Sequence, residues 1–382
     1  MTSHIAFETA EPTATALLTI NLGALCENYR ALSSLASTAE CAAVIKANAY
    51  GIGTTKTAKA LADAGCHTFF VATFDEATTV RKAAPSATIY VLDGYLPNSG
   101  DEFVHADIRP VLSSLEELDD WIGFCGSAGK QHPAALHVDT GMNRLGLSVD
   151  EAIQAFAASG SAGKFVPSLL ISHLACADES NHTKNAEQLA AFTSLRKQLP
   201  NCPSSLANSG GIHLGPDYHF DLVRSGFSLY GGMAADNYPP LKPVVELYAR
   251  IIQIHEARVG ESVGYGAPRK LDRQTRIATI SMGYADGIFR NLGEREGHPG
   301  MTGYISGHPA PVLGRVSMDL ITLDVTDIPT DLAQRGGWVE IIGPNVSIDG
   351  LAGQAGTIGY EVLTNLGNRA QRLYIGAEGA IR

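Results

Sequence analysis

A lysine at the end of an apolar run is the first residue in this chain equipped for chemistry. In Ala42-Ala43-Val44-Ile45-Lys46-Ala47-Asn48-Ala49-Tyr50-Gly51-Ile52-Gly53 the opening residues suit a buried strand, and the Asn and Gly residues close it in a turn. An ammonium at such a strand end loses much of its water. Desolvation favours the neutral, nucleophilic amine that Schiff-base chemistry needs. On this stretch alone, a lysine that marks the strand end and reaches solvent fits equally well. Further polar groups recur behind other apolar runs: Asp139-Thr140 with Gly141-Met142-Asn143-Arg144, then His173, then Asn208-Ser209-Gly210-Gly211, then Arg224 to Gly226.

The elements that must position these groups follow from the hydropathy pattern. Strands are predicted at Cys41–Ala47, His67–Thr73, Ala87–Asp93, Ile108–Ser114, Ala134–Thr140, Ser168–Leu174, Ser204–Asn208 and Leu222–Tyr230. Segments of helical period separate most of them, among them Thr54–Ala64, Ser114–Trp121, Asp150–Ala158 and Asn185–Gln198, and another helical stretch lies around Cys26 to Leu35. Strand spacings of roughly 18 to 36 residues suit βα units. Eight such units predict a closed (β/α)8 barrel over residues 17–237, with an open doubly wound sheet as the alternative. In a barrel, reactive groups gather at the C-terminal ends of the strands, and phosphate sites favour the loops after the seventh and eighth. Lys46 then ends the first strand, while Ser209, Gly210, Gly211, Gly226 and Gly232 supply a hydroxyl and close-approaching N–H groups. A lysine amine facing a phosphate cradle points to pyridoxal 5'-phosphate.

Composition narrows the class. The chain has 382 residues, 45% hydrophobic and 18% charged, which is room for two domains and a large core rather than a disordered profile. A formal net charge of -11 repels phosphate backbones and argues against nucleic acid as a partner. No apolar run approaches the roughly 20 residues of a membrane helix. Met1 to Ala16 carries neither the basic region nor the apolar core of a secretory signal. Cys26, Cys41, Cys66, Cys125, Cys176 and Cys202 lack metal-ligand or CxxC spacing and read as reduced thiols of a cytoplasmic protein without a metal site. Asn237-Tyr238-Pro239-Pro240-Leu241-Lys242-Pro243 reads as an interdomain connection. Beyond it, over residues 244–382, helical periodicity nearly disappears. Val245–Ile254, Thr275–Met282, Ile321–Val325 and Trp338–Ile342 predict a mainly β domain. The Leu17–Leu22 strand is not needed to close the barrel and is free to pair with that domain.

Taken together, seven stretches give the chain a specific likeness. They are Val44-Ile45-Lys46-Ala47-Asn48-Ala49-Tyr50-Gly51, Asp139-Thr140-Gly141-Met142-Asn143-Arg144-Leu145-Gly146, Ser172-His173 with Ala177-Asp178, Asn208-Ser209, Arg224 with Tyr230-Gly231, and the pair Gly283-Tyr284-Ala285-Asp286-Gly287 and Gly314-Arg315-Val316-Ser317-Met318-Asp319. Nearly end to end, the chain resembles the pyridoxal-phosphate-dependent alanine racemases of the (β/α)8-barrel type. The resemblance implies that Lys46 carries the cofactor as a Schiff base. It implies that Tyr50, Ser209 and the backbone around Gly226 and Phe227 hold the cofactor's phosphate, that Asn208 also binds the cofactor, that Arg224 faces the pyridine nitrogen, and that His173 lies beside the ring. Arg144 and Met318 would hold the substrate carboxylate, and Tyr284 would be a second base opposite Lys46. Two bases suit racemisation, which removes a proton from one face and returns it to the other. A tyrosine needs a pKa displacement worth about 4 kcal/mol to act as a base at neutral pH. Cationic neighbours would supply it, and His173 linked to Arg224 is the candidate.

The resemblance also carries departures and a partner. His137 stands where many relatives have a carbamylated lysine that orients the arginine, so Arg144 must be held otherwise, by an anion or by Asn143. Asn368 stands where many place a phosphate-binding tyrosine, and Phe227 replaces a smaller aliphatic residue. Tyr284 and Met318 lie in the second domain, and in this family a partner chain supplies that domain, so a homodimer with shared sites is implied. Tyr265 is a lesser candidate for the pocket wall. A serine or broader-specificity racemase stays open. A non-catalytic cofactor carrier fits less well because of the second domain, and a decarboxylase because Arg224 occupies a place where that class uses an acidic residue.

Overall fold

The structure, a computed structural model, describes residues 7–162, 165, 167–199, 202–236, 238, 241–267 and 269–376. Its contacts divide the chain into two compact units, Leu25–Lys242 and Met1–Ala24 with Pro243–Arg382. Of the connection expected at Asn237 to Pro243, residues Asn237, Pro239 and Pro240 lie outside the described residues.

The first unit is a barrel. Its strands are β2 (Glu40–Val44), β3 (Thr68–Val71), β4 (Thr88–Val91), β5 (Arg109–Leu112), β6 (Ala135–His137), β7 (Leu169–Ile171), β8 (Ser204–Ser205) and β9 (Leu222–Ser225). They pair in parallel, in the order β8-β7-β6-β5-β4-β3-β2-β9. The last seam is closed by Asp221 N–H to the Ser204 carbonyl at 3.0 Å and Arg224 N–H to the Ala207 carbonyl at 2.9 Å. Closure decides against an open sheet. The strands are buried on both faces, which is why they read as apolar runs rather than alternating ones. Helices follow most strands, several with clear start signals: Thr73 caps Phe74–Ala83 in a capping box with Glu76, and Ser114 caps Leu115–Ala128.

Register assigns the lumen. Side chains alternate along a strand, and the pairs Ala42↔Arg224, Phe70↔Tyr90, Val111↔Ala135 and His137↔Ile171 set one face of the ring. Ala42, Phe70, Tyr90, Val111, Ala135, Leu169, Ile171 and Leu222 fill it as one apolar cluster. His137 and Arg224 lie on that same face, one step nearer the C-terminal rim than Ala135 and Leu222.

The second unit holds an eight-stranded sheet and a two-stranded pair, β11 (Ser262–Val263) and β12 (Arg269–Lys270). The larger sheet contains β10 (Val245–Ala257), β13 (Thr275–Ile280), β14 (Thr302–Ile305), β15 (His308–Pro311), β16 (Ile321–Asp324), β17 (Trp338–Ile342) and β18 (Gln371–Ile375), together with β1 (Ala16–Asn21) from the start of the chain. β1 runs antiparallel to β10 and parallel to β18. Two helices, Ile348–Ala355 and Gly359–Thr364, stand in the region expected to lack helical periodicity. The first is rich in Gly and Ala and the second spans only six residues, so neither gives a strong pattern; the N-cap Ser347 of the first, whose side chain accepts from Gly350 N–H, was the available signal. The unit remains mainly β.

Candidate active site

Lys46 does not end its strand. β2 stops at Val44, and Ile45 still donates to the Phe70 carbonyl at 2.9 Å before the chain turns away. Ala47, Asn48, Ala49 and Tyr50 all sit in the left-handed region, with φ of 53, 54, 52 and 52°. For L-residues each such conformation costs about 1–2 kcal/mol. The turn is held by several bonds: Ala49 N–H to the Ile45 carbonyl at 3.0 Å, Gly51 N–H to the Ala47 carbonyl at 2.9 Å, and Thr54 N–H to Asn48 Oδ1 at 3.1 Å. Local strain over-determined by its surroundings is characteristic of functional sites. Here it projects Lys46 and, four residues on, Tyr50 from one turn. Burial and the positive charge of Arg144 lower the Lys46 pKa below the ordinary lysine value, against the opposite pull of Asp93 and Glu76.

Across the rim, Tyr50 is buried against Tyr230, ring centroids 4.7 Å apart. Its hydroxyl lies so close to Gly226 that a Cβ there would meet it at 2.8 Å. Ser209 Oγ accepts Gly226 N–H at 2.8 Å and Ser228 N–H at 3.4 Å. With its lone pairs taken, the Ser209 hydroxyl proton is left to donate elsewhere. The Ser228 hydroxyl is buried with no partner among the described residues. The eighth strand, expected to reach Tyr230, ends at Ser225 because Gly226 turns the chain into a 3-10 segment, Phe227–Tyr230. Asn208 caps the short helix Ser209–His213 by accepting Gly211 N–H at 3.0 Å, and its amide lies 3.5 Å from His173 Nε2. The Ser209 and Ser228 hydroxyls, beside a glycine where a Cβ would press on the Tyr50 hydroxyl, suit a bound phosphate.

Arg224 is 4% exposed. One terminal nitrogen donates to the Ser205 carbonyl at 2.9 Å and the Ser205 hydroxyl at 2.6 Å. The other donates to the Ser172 and Leu206 carbonyls and lies 3.4 Å from His173 Nδ1. Burial pulls its pKa down to about 10, still charged at neutral pH. Nε is left without a partner among the described residues. His173 is pushed well below the usual histidine range by burial, then by Arg224 and Arg144. This corrects the expectation of a cationic His173: its Nδ1 accepts from Arg224, so the imidazole is neutral and Arg224 alone carries charge. His137, with Nδ1 3.5 Å from Ser113 Oγ, is likewise neutral, its pKa lowered to about 4 by burial and by Arg224 and Arg144.

Arg144 lies exposed on a loop built by Asp139, whose carboxylate accepts the N–H groups of Gly141, Met142 and Asn143, each at 2.8 Å. Asn143 is left-handed, with φ 56°, and makes no hydrogen bond to Arg144. Gln188, absent from the sequence reading, is fully buried; it donates to Thr140 Oγ1 at 3.2 Å and to the His173 carbonyl at 2.8 Å, tying two of the site loops together. A glutamine on a helix of low amphipathicity offers no signal of such a role.

In the second unit, β13 and β16 are antiparallel neighbours with Ile280 opposite Ile321. The segment leaving β13 and the one entering β16 therefore meet: Tyr284 N–H donates to the Ser317 carbonyl and Ala285 N–H to the Met318 carbonyl, both at 3.0 Å. Tyr284 is 43% and Met318 53% exposed. The Met318 N–H has no partner among the described residues. Asn368 and Tyr265 are exposed in this unit.

A closed barrel with a desolvated lysine and clustered hydroxyls at its rim, joined in one chain to a mainly β domain, suits a barrel enzyme of amine chemistry. Residues 20–234 match the alanine racemase N-terminal domain and residues 244–374 the alanine racemase C-terminal domain. The chain belongs to the alanine racemase family. It is 45% identical over 368 residues to a biosynthetic alanine racemase of Agrobacterium fabrum, covering 94% of each chain. It is equally 45% identical, over 370 residues, to a catabolic alanine racemase of Mesorhizobium japonicum, covering 96% of this chain and 95% of the relative. Among solved structures it resembles the alanine racemase of Bartonella henselae with covalently bound pyridoxal phosphate. That likeness has a TM-score of 0.89 and 41% identity, with 95% of this chain and 100% of the other covered.

Proposed function

We propose that the protein interconverts L- and D-alanine with pyridoxal 5'-phosphate, Lys46 and Tyr284 moving the Cα proton on opposite faces. The observation that carries this reading is the desolvated Lys46 amine sharing a barrel rim with the Tyr50–Ser209–Gly226 cradle and the fixed charge of Arg224. The cofactor, when bound, supplies a conjugated ring that accepts the electron pair left as the Cα–H bond breaks.

Everything else falls to the chain's own residues. Tyr50, Ser209 and the backbone at Gly226 and Phe227 would hold the phosphate, with Asn208 bracing the Ser209 helix and Ser228 as an added donor. The unpartnered Nε of Arg224 is free to donate to the ring nitrogen, and a guanidinium keeps its own proton there, so that nitrogen stays unprotonated. Neutral His173 would pack beside the ring. Arg144 suits the substrate carboxylate with its forked donors, and the Met318 N–H offers a second. The lowered pKa of Lys46 favours the neutral amine that takes a proton; Tyr284 would return one on the other face.

Tyr284 and Met318 are exposed in their own unit, which fits a homodimer in which the second domain of one chain completes the barrel site of its partner. No helix among the described residues is long and apolar enough to cross a membrane, and all six cysteines are unpaired, as suits the reducing cytoplasm. Incubation of L-alanine in deuterated water, followed by chiral separation, tests the activity. Both enantiomers with deuterium at Cα are expected. Bound cofactor without exchange would point to a carrier, and release of carbon dioxide to a decarboxylase; either would overturn the reading.

A further inference from the structure

We infer that Arg369 is a positioning residue that locks Tyr284 and Met318 into a single rigid unit. Three segments distant in sequence converge on it. Its Nε and one terminal nitrogen grip Asp286 through both carboxylate oxygens, each at 2.7 Å, and the other terminal nitrogen reaches Asp319 Oδ1 at 2.6 Å. Asp286 follows Tyr284 by two residues and Asp319 follows Met318 by one, so a single guanidinium spans the two turns that present these side chains.

The backbone around the clamp leaves little slack. Asp286 Oδ2 also accepts Gly283 N–H at 2.8 Å, and Gly367 N–H donates to the Asp286 carbonyl at 3.0 Å. A Cβ on Gly283 would meet the Ser317 and Met318 carbonyl oxygens at 2.3 Å, and one on Gly287, at φ +95°, would meet the Asn365 carbonyl oxygen at 2.1 Å. Glycine at both places lets three backbones touch, and Arg369 then fixes their angle. The side chains of Arg369 and Asp319 are 51% and 55% exposed. Exposed ion pairs contribute little to stability, but a bidentate guanidinium sets direction, which a lysine point charge does not. The clamp is therefore built for orientation. Misplacement of a reacting group by about 1 Å costs on the order of 100-fold in rate.

The inference rests on Tyr284 being a proton-transferring group, and the test separates the two. Holoenzymes carrying Arg369→Gln, Arg369→Lys, Asp319→Asn and Tyr284→Phe are compared for kcat, melting temperature, cofactor absorbance and primary isotope effects with Cα-deuterated L- and D-alanine. Arg369→Gln should lower kcat by about 10- to 100-fold while cofactor absorbance is unchanged and the melting temperature moves by no more than about 4 °C. Its isotope effect should rise for one enantiomer only, the same one as in Tyr284→Phe. Arg369→Lys should recover part of the rate, and Asp319→Asn should show the same asymmetry more weakly. An asymmetric Tyr284→Phe beside a symmetric Arg369→Gln would overturn the role of Arg369 alone. A symmetric Tyr284→Phe would overturn the base reading and, with it, this inference.

Discussion

The two halves of the proposed site are built in opposite ways. On the barrel, Arg224 and Ser209 are buried and committed to several hydrogen bonds each, and burial together with Arg224 keeps the nearby imidazoles neutral. In the second unit, Tyr284 and Met318 are about half exposed and borne on short turns. The difference teaches which half can be preorganised alone. A charge such as Arg224 must be paid for by partners inside its own unit. An exposed tyrosine beside a clamped turn costs its unit little, and in the proposed dimer it would gain its surroundings on assembly. Strain divides the same way: four consecutive left-handed non-glycine residues sit behind Lys46, while the left-handed position that ends the Tyr284 turn is taken by Gly287.

The comparison can be broken most severely at Lys46. Lys46→Ala should lower racemisation by at least about 10⁴-fold, since anchoring and base roles fall together; a chiral assay on cofactor-saturated protein measures it. Tyr284→Phe should be milder, about 10²- to 10³-fold, and should leave cofactor absorbance unchanged, because the buried half remains whole.

His137 sharpens the contrast through pH. Its folded pKa of about 4 lies below the ordinary histidine value of about 6.5. The unfolded chain therefore binds the extra proton between these values, and stability falls as pH drops from about 6.5 to 4, by about 3 kcal/mol in total. His137→Gln should flatten that slope in urea unfolding; an unchanged slope would place the acid sensitivity elsewhere. Smallest is Ala49→Gly. It relieves an L-residue at φ +52° but loosens the unfolded chain, so the net change should lie within about 1 kcal/mol by the same measurement.

Much of the barrel was legible because strands buried on both faces leave unbroken apolar runs, such as Thr68–Val71, between helices with readable caps. The turn behind Lys46 was not. Ala47 and Ala49 are helix formers on any propensity scale, and nothing in their identity announces a left-handed backbone. Protonation was also invisible: His173 becomes neutral because folding buries it and then sets Arg224 and Arg144 near it. Gln188, Ser228 and Arg369 escaped for a common reason. The partners of Gln188 and Arg369 lie 13 to 83 residues away in the chain, and the Ser228 hydroxyl has no partner among the described residues. Tyr284 and Met318 were found from motif likeness, whereas the antiparallel β13–β16 pairing that joins them needed the fold.

The central claim is that a buried half from one chain and an exposed half from another make one site. Co-expression of Lys46→Ala and Tyr284→Phe chains tests it most directly. Each variant alone lacks one base in every site, but a mixed dimer has one site with Lys46 and Tyr284 both intact. Random pairing then restores roughly a quarter of wild-type activity, one intact site in two over half of the dimers. Activity no greater than that of the separately expressed variants would contradict the account.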